Sequence, residues 1–439
     1  MEYPTMFRIR QHFDAPRIDD IPAAVRSEIG KLNPGETIKP GHTVAISVGS
    51  RGVANLDRIV KTVVEEMQAL GAVPYIVPAM GSHGGGTAEG QVAILAGYGI
   101  TQARMGAPVR ASMEVVQIGV TDFGMPVYFD KLASRADHVI VVNRIKPHTG
   151  FTGEIESGLM KMMLIGLGKH KGASIYHRAI IHHSFDKIVR VVGKMVREKM
   201  PVAFGVATLE NGYEETAQIA AIPASDFESV EKELLIKAKA WCPRLPFDDV
   251  DLLIVDEMGK DISGSGLDTN VIGRKRNDRR AMDGETPRVL RIFVRDLTEK
   301  THGNAIGIGF AEFTTDRLVE KIDYHATYIN GITGQHVSVA AVPMHFPTDR
   351  EVLDIALESI GLIQMPDARV IWIPNTLDLG EVEASAAYLD MAEMRDDLEV
   401  LTDLRPLRVE TDGNLPPFQV LGKASGKRVA AGVKWDLTA

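Results

Sequence analysis

Short apolar runs alternate with amphipathic stretches along the first half of the chain. Residues 43–48 read Thr-Val-Ala-Ile-Ser-Val, with almost no polar alternation. That is the pattern of a parallel strand covered on both faces. A turn follows at Gly49-Ser50-Arg51-Gly52. Ile59, Val63, Met67 and Leu70 then recur at helical spacing, and Gly71 closes the helix. Residues 73–77 predict a second strand, running into Pro78-Ala79-Met80-Gly81-Ser82-His83 and three glycines. Thr87 is placed to cap a helix from Ala88 to about Gly97. Residues 138–142 predict another strand, which leads into Asn143-Arg144-Ile145-Lys146-Pro147-His148. A helix is expected over 153–168, an amphipathic one over 185–198, and a strand over 202–208.

At Cys242-Pro243-Arg244-Leu245-Pro246 two prolines interrupt this rhythm, which marks a boundary. Beyond it the pattern predicts strands at 250–255, 289–294, 337–342 and 368–373, and helices at 315–321 and 350–360. Alternation of this kind builds mostly parallel sheets with helices on their faces. The expected fold is α/β, with two α/β lobes, mostly parallel sheets and an interdomain active-site cleft. An N-terminal catalytic and cofactor-anchoring domain is expected over 1–243, and a C-terminal domain closing the cleft over 244–439.

Composition narrows the function classes. The chain has 439 residues, enough for two or three domains. A net charge of −9 argues against a nucleic-acid partner, and the basic stretch Gly273-Arg274-Lys275-Arg276 has no aromatic-basic motif beside it. Cys242 is the single cysteine, so an intrachain disulfide and a cysteine-clustered zinc or iron–sulfur site are excluded. The first ten residues mix acid and base without the apolar run of a signal peptide. No apolar run reaches the roughly 18 residues of a membrane span. The expectation is a cytoplasmic protein with a small-molecule substrate and neither a nucleic-acid nor a membrane partner.

Candidate chemistry sits where loops leave the carboxyl ends of strands, the usual ligand crevice of such sheets. Those loops carry Ser50 and Arg51, then His83, then His148. Arg51 offers a charged fork suited to a carboxylate or phosphate. Two histidines on separate loops can exchange protons with opposite faces of one substrate. Each is also compatible with an ordinary loop or capping role. The glycine run 84–86 is read as a tight turn or as backbone approaching a phosphate; neither GxGxxG nor a Walker loop is present. Lys161 lies inside the apolar stretch Leu159-Met160-Lys161-Met162-Met163-Leu164. Such a lysine either snorkels to solvent or is held desolvated, with a lowered pKa and a nucleophilic amine. His177, His182 and His183 suggest metal, but their spacing places no good pair on one helix face. Imidazole suits nickel as well as zinc.

Taken in order, Ser50-Arg51, Gly81-Ser82-His83, Lys146-Pro147-His148-Thr149-Gly150-Phe151, Lys161 and His177 resemble the nickel-dependent lactate racemase family. The resemblance spans about residues 43–276. It implies a nickel-pincer nucleotide, made by separate cofactor-synthesis enzymes and attached covalently at the position of Lys161. It implies His177 as the nickel ligand and His83 and His148 as acid and base. Arg51, with Ser50, matches the contact to cofactor or substrate. The implied activity is isomerase chemistry: racemisation or epimerisation of a 2-hydroxy acid by hydride transfer from the 2-hydroxy carbon, coupled to deprotonation of its hydroxyl. The alternative carried beside it is a metal-dependent hydrolase or lyase in which the same histidines bind a metal directly; a non-enzymatic nucleotide- or metal-binding protein is a third reading.

Two departures from the family pattern bear on the substrate. Val48 stands where the family often has an aspartate. In the second half, Gly266-Leu267-Asp268-Thr269-Asn270 resembles a family loop whose following tyrosine, glutamine and lysine fall on Ile272, Gly273 and Arg276. The resemblance thereby implies Asp268, Asn270 and Arg276 as substrate-binding residues. The smaller side chains at 272 and 273 are expected to enlarge the pocket, toward an acid longer and more polar than lactate, such as an aldonate.

Overall fold

A computed structural model describes residues 2–50 and 52–419. Residues 14–148 and 152–242 gather into one compact unit, and residues 2–13, 149–151 and 243–419 into another. The first thirteen residues, grouped by sequence with the N-terminal domain, therefore count with the later part of the chain. The reason is pairing: Thr5–Gln11 is a strand hydrogen-bonded antiparallel to Glu381–Ser385 and Leu398–Val400.

The 14–242 unit is built on a sheet of Val73–Pro78, Thr43–Val48, His138–Arg144, Val202–Glu210 and Thr216–Pro223, in that spatial order. The first four run parallel and the last is antiparallel. The apolar runs form its interior: Val44, Ile46, Val48, Ile76, Ile140 and Val142 are buried in one cluster. Each such side chain contributes about 1.5–3 kcal/mol on full burial. Helix Leu56–Ala69 turns Ile59, Val60, Val63, Val64 and Met67 into that cluster. Helix Ala88–Gly97 starts at Thr87, whose hydroxyl accepts the Gly90 N–H at 3.1 Å. Helices Phe185–Lys199 and Phe227–Trp241 complete the cover. A separate hairpin, Val115–Val120 with Pro126–Asp130, was not anticipated from the pattern.

The other unit carries a mixed sheet. Met344–Phe346, Phe313–Thr315, Arg288–Leu297, Asp249–Met258 and Val370–Ile373 run parallel, and antiparallel strands follow on one side. The fold is thus α/β with mostly parallel sheets.

Two segments depart from their periodicity. Residues 337–342, expected as a strand, form a 3-10 turn at Val337–Ala340. Residues 153–168, expected as one helix, are irregular to Gly158; a single α turn follows at Leu159–Lys161, then a π turn at Met162–Gly166. Glycines at 153, 158, 166 and 168 bracket this short piece, and their cost inside a helix limits its length.

Candidate functional site

Three parallel neighbours in the 14–242 sheet, strands 73–78, 43–48 and 138–144, end side by side. Their carboxyl ends lead to His83, Ser50 and His148. The Ser50 hydroxyl lies 2.5 Å from His83 Nδ1, so two of the three strand ends meet through a side-chain hydrogen bond. In the tautomer in which Ser50 donates, Nε2 of the neutral ring carries the proton. The Ser50 carbonyl accepts from the Tyr98 hydroxyl at 2.7 Å, which ties the loop to the end of helix 88–97. Arg51 lies outside the described residues. Val48 is buried in the core, so that position contributes no polar contact.

The His83 loop is bent by necessity. Gly84, Gly85 and Gly86 all have φ between 64° and 69°. A Cβ on Gly84 would stand 2.5 Å from the Gly90 carbonyl carbon. The glycine run therefore serves a turn that lets the loop lie against the first turn of the next helix. Gln91, fully buried on that helix, donates to the carbonyls of Gly81 at 3.0 Å and His83 at 3.3 Å.

His148 is held through its backbone. Its N–H donates to Glu156 at 2.8 Å, and the Lys146 N–H donates to the Ser157 carbonyl at 3.1 Å. Glu156 is fully buried and paired with Lys239 at 2.6 Å. The loop after strand 138–144 is thus clamped to the segment that leads into Lys161. Asn143, on the same strand, donates to the Gly158 carbonyl at 2.8 Å.

Lys161 occupies a distinctive place. From Gly158 to Leu164 every other residue is buried; Lys161 alone is partly exposed. The sockets are made by glycines: a Cβ on Gly193 would collide with Met160, and one on Gly205 with Leu159. With its neighbours seated in this way, the turn fixes where the lysine leaves the core. The π turn that follows is a conformation frequent at functional sites. His177 lies on helix Lys169–Ala179, partly buried, with its ring 5.2 Å from that of Tyr176. Burial holds its pKa below the ordinary histidine value, and the charge of Lys161 lowers it further. A neutral imidazole near neutral pH is the form that can ligate a metal. His183 instead packs against Phe123, with ring centroids 4.3 Å apart and the ring planes tilted by 44°.

Two buried charges in this region escaped the sequence reading. Lys169 is fully buried, has the left-handed φ of 56°, and pairs with Asp130 at 3.0 Å. Its ammonium also donates to the Pro78 carbonyl, 2.5 Å away, and to Gln91 at 3.3 Å. Burial outweighs Asp130 and lowers its pKa. Lys169 thereby joins the π turn to the strand end and to the amide that holds the His83 loop. Nothing in its sequence context announces this. The second is Glu231, an acid at the centre of the apolar face of helix 227–241, where Phe227, Leu234, Leu235 and Ala238 are also buried. That placement at helical spacing was a legible signal.

The residues expected to bind substrate lie in the other unit. Asp268 caps the short helix Thr269–Ile272 and accepts from the Asn270 backbone and side chain at 2.9 and 2.8 Å. Arg276 is exposed, with Nε 3.1 Å from Glu285 and a further bond to the Asp283 carbonyl at 2.9 Å. Ile272 is fully buried in that unit's core, and a Cβ on Gly273 would collide with the Pro287 carbonyl. The space at 272 and 273 is taken by core packing and by Pro287, not by an enlarged pocket. His336 and His345 are paired with Asp278 and Asp316.

Residues 12–188 match the family model of the lactate racemase N-terminal domain. Over these residues the chain is similar to the lactate racemase family. The matched segment contains Ser50, His83, His148, Lys161 and His177; it ends before Glu231 and before the Asp268–Arg276 loop. Among solved structures, the chain is similar to the lactate racemase apoprotein from Thermoanaerobacterium thermosaccharolyticum, at 13% identity and a TM-score of 0.54, over 83% of this chain and 93% of that one. It is also similar to a protein from Thermotoga maritima solved by the Northeast Structural Genomics Consortium, at 12% identity and a TM-score of 0.50, over 81% and 96% of the two chains. At such identities the likeness is one of fold. No curated protein matches the sequence. Among the described residues no helix is long and apolar enough to cross a membrane.

Proposed function

We propose that this chain is a racemase or epimerase that inverts the 2-hydroxy carbon of a 2-hydroxy acid, with His83 and His148 as its acid–base pair. The observation that supports the proposal is the placement of three loops at the carboxyl ends of neighbouring strands in one sheet. Ser50, His83 and His148 follow three adjacent parallel strands, and the segment around Lys161 is hydrogen-bonded to both histidine loops, through Glu156 and Ser157 before the turn and through the Gly166 carbonyl, which accepts the Gly81 N–H at 3.4 Å, after it.

The group implied by the family, a nickel-pincer nucleotide, fits the residues present. Lys161 is the single partly exposed side chain of a buried turn and would hold it covalently; His177, uncharged and close enough to feel the Lys161 charge, would ligate its nickel. Bound there, the group would supply a hydride acceptor for the substrate carbon. His83 and His148 take and return the hydroxyl proton. Ser50 fixes the His83 ring and its tautomer. Arg51, in the family position, contacts cofactor or substrate. Asp268, Asn270 and Arg276 remain proposed substrate contacts; for Arg276 that role requires its pair with Glu285 to open.

The protein acts, on this reading, in the cytoplasm and depends on cofactor-synthesis enzymes. A hydrolase or lyase using His83, His148 and His177 as direct ligands needs those rings on one ion. Among the described residues no three His, Cys, Asp or Glu side chains are grouped to hold one. The test is chiral chromatography of a panel running from lactate to aldonates, with protein produced beside the cofactor-building enzymes. Inversion at C2 is expected, with C2 retaining its protium in heavy water because the hydrogen moves as hydride. Exchange of that hydrogen with solvent would contradict hydride transfer. The panel runs from lactate to aldonates because the packing at residues 272 and 273 opens no space that selects the longer acids.

A further inference from the structure

We infer that Glu231 is a positioning residue: its carboxylate, reaching in from helix 227–241, fixes the turn that carries Lys161. The inference rests on the reading of Lys161 given above. Glu231 is fully buried, and its carboxylate accepts the Met160 N–H at 3.0 Å and also that of Leu159. These are first-turn donors, which a helix cannot satisfy internally. Glu231 Oε1 has no hydrogen-bond partner among the described residues. The acid is therefore held in the core by two backbone N–H groups alone, with no cation among the causes that set its pKa.

Two features separate this arrangement from an ordinary cap. Caps are usually small polar residues adjacent in sequence; this one comes from a helix beginning at Phe227, far along the chain. The backbone is also cut to receive it, since a Cβ on Gly158 would stand 2.5 Å from the Glu231 carboxyl carbon. An acid kept in an apolar site is costly unless it is hydrogen-bonded. Here its bonds go to the two residues just before Lys161. Asn143 grips the Gly158 carbonyl from the other side, so the turn is held by a strand and by a helix.

The test uses the full chain without cofactor. Acetic anhydride labelling of Lys161 is measured by peptide mass spectrometry relative to Lys194, whose side chain is 71% exposed. Hydrogen exchange of the Leu159 and Met160 amides is followed in parallel. Glu231→Leu is expected to speed that exchange at least tenfold and to raise the Lys161 to Lys194 ratio at least threefold. Glu231→Gln, which keeps an acceptor oxygen, is expected to restore both. Leu235→Ala, a destabilising change in the same helix, is expected to leave the ratio unchanged. Should Glu231→Leu fail to fold, Gly158→Ala displaces the carboxylate and is expected to reproduce its effects. Wild-type exchange and labelling in a folded Glu231→Leu or Gly158→Ala protein would overturn the inference, as would an equal rise in Leu235→Ala. These readouts need no cofactor. A wild-type Lys161 that stays unmodified beside the cofactor-building enzymes would instead count against the proposed function.

Discussion

In the 14–242 unit, loops after three neighbouring parallel strands carry Ser50, His83 and His148 at the carboxyl end of one sheet, while buried groups hold the backbone of those loops. Gln91 and Lys169 anchor the first histidine loop; Glu156 anchors the second. In the other unit, the loop after strand 249–258 has comparable polar content, but its polar groups bond to one another. Asp268 caps Asn270, and Arg276 is taken up by Glu285 and Asp283. Two α/β units of similar pattern thus differ in where the structural work is done. In the first, buried residues away from the strand ends hold the loops that present the histidines. In the second, the candidate residues hold their own loop.

Breaking this contrast begins with the histidines. His83→Ala and His148→Ala should each lower kcat by ~10²–10⁴-fold, the usual contribution of a positioned acid or base, with little change in melting temperature. A loss of folding without a specific loss of turnover would make them structural. Next in size is Glu231. Burial raises its pKa to about 7. A buried acid with a raised pKa favours folding when neutral; that stability is complete below the ordinary carboxylate pKa and is lost as pH rises through about 7. The shift corresponds to about 3 kcal/mol. Glu231→Gln does not titrate, so its stability relative to the parent should rise between pH 5 and pH 8.5 in denaturant melts. Parallel curves would show that the carboxylate is not desolvated.

Ser50→Ala removes one hydrogen bond to His83, worth about 1 kcal/mol, so kcat should fall about fivefold, with a displaced pH–rate profile. An unchanged profile would remove Ser50 from the positioning of the ring. Smallest is Arg276→Ala. Arg276 is itself exposed, and an ion pair made by an exposed arginine contributes about 0–1 kcal/mol, so stability should move little. The informative reading is KM: a rise above about tenfold, roughly 1.4 kcal/mol, would make Arg276 a substrate contact and dissolve the contrast between the units.

The strands and helices that carry the histidines were legible because their apolar runs are long and their turns glycine-marked. Residues 43–48, 56–69, 73–78, 88–97 and 138–144 form the elements their patterns predict. Thr5–Gln11 was missed because a strand's partners, here 381–385 and 398–400, lie far away in sequence. The 153–168 segment was misread because apolar residues in a row do not distinguish an α turn from a π turn. Lys161 and His177 are singled out by family resemblance, whereas their local patterns are compatible with ordinary packing. Lys169 was hidden because its role depends on Asp130 and Pro78, which only the folded chain brings to it. Glu231 was visible as an acid on an apolar helix face, but its target at Leu159 and Met160 was not.

The most direct measurement is the mass of the protein produced together with the cofactor-building enzymes, followed by peptide mapping and nickel analysis. Expected is an added mass on Lys161 with bound nickel, absent from Lys161→Ala, together with inversion of a 2-hydroxy acid. An unmodified Lys161 under those conditions, with no isomerisation of any acid in the panel, would contradict the assignment.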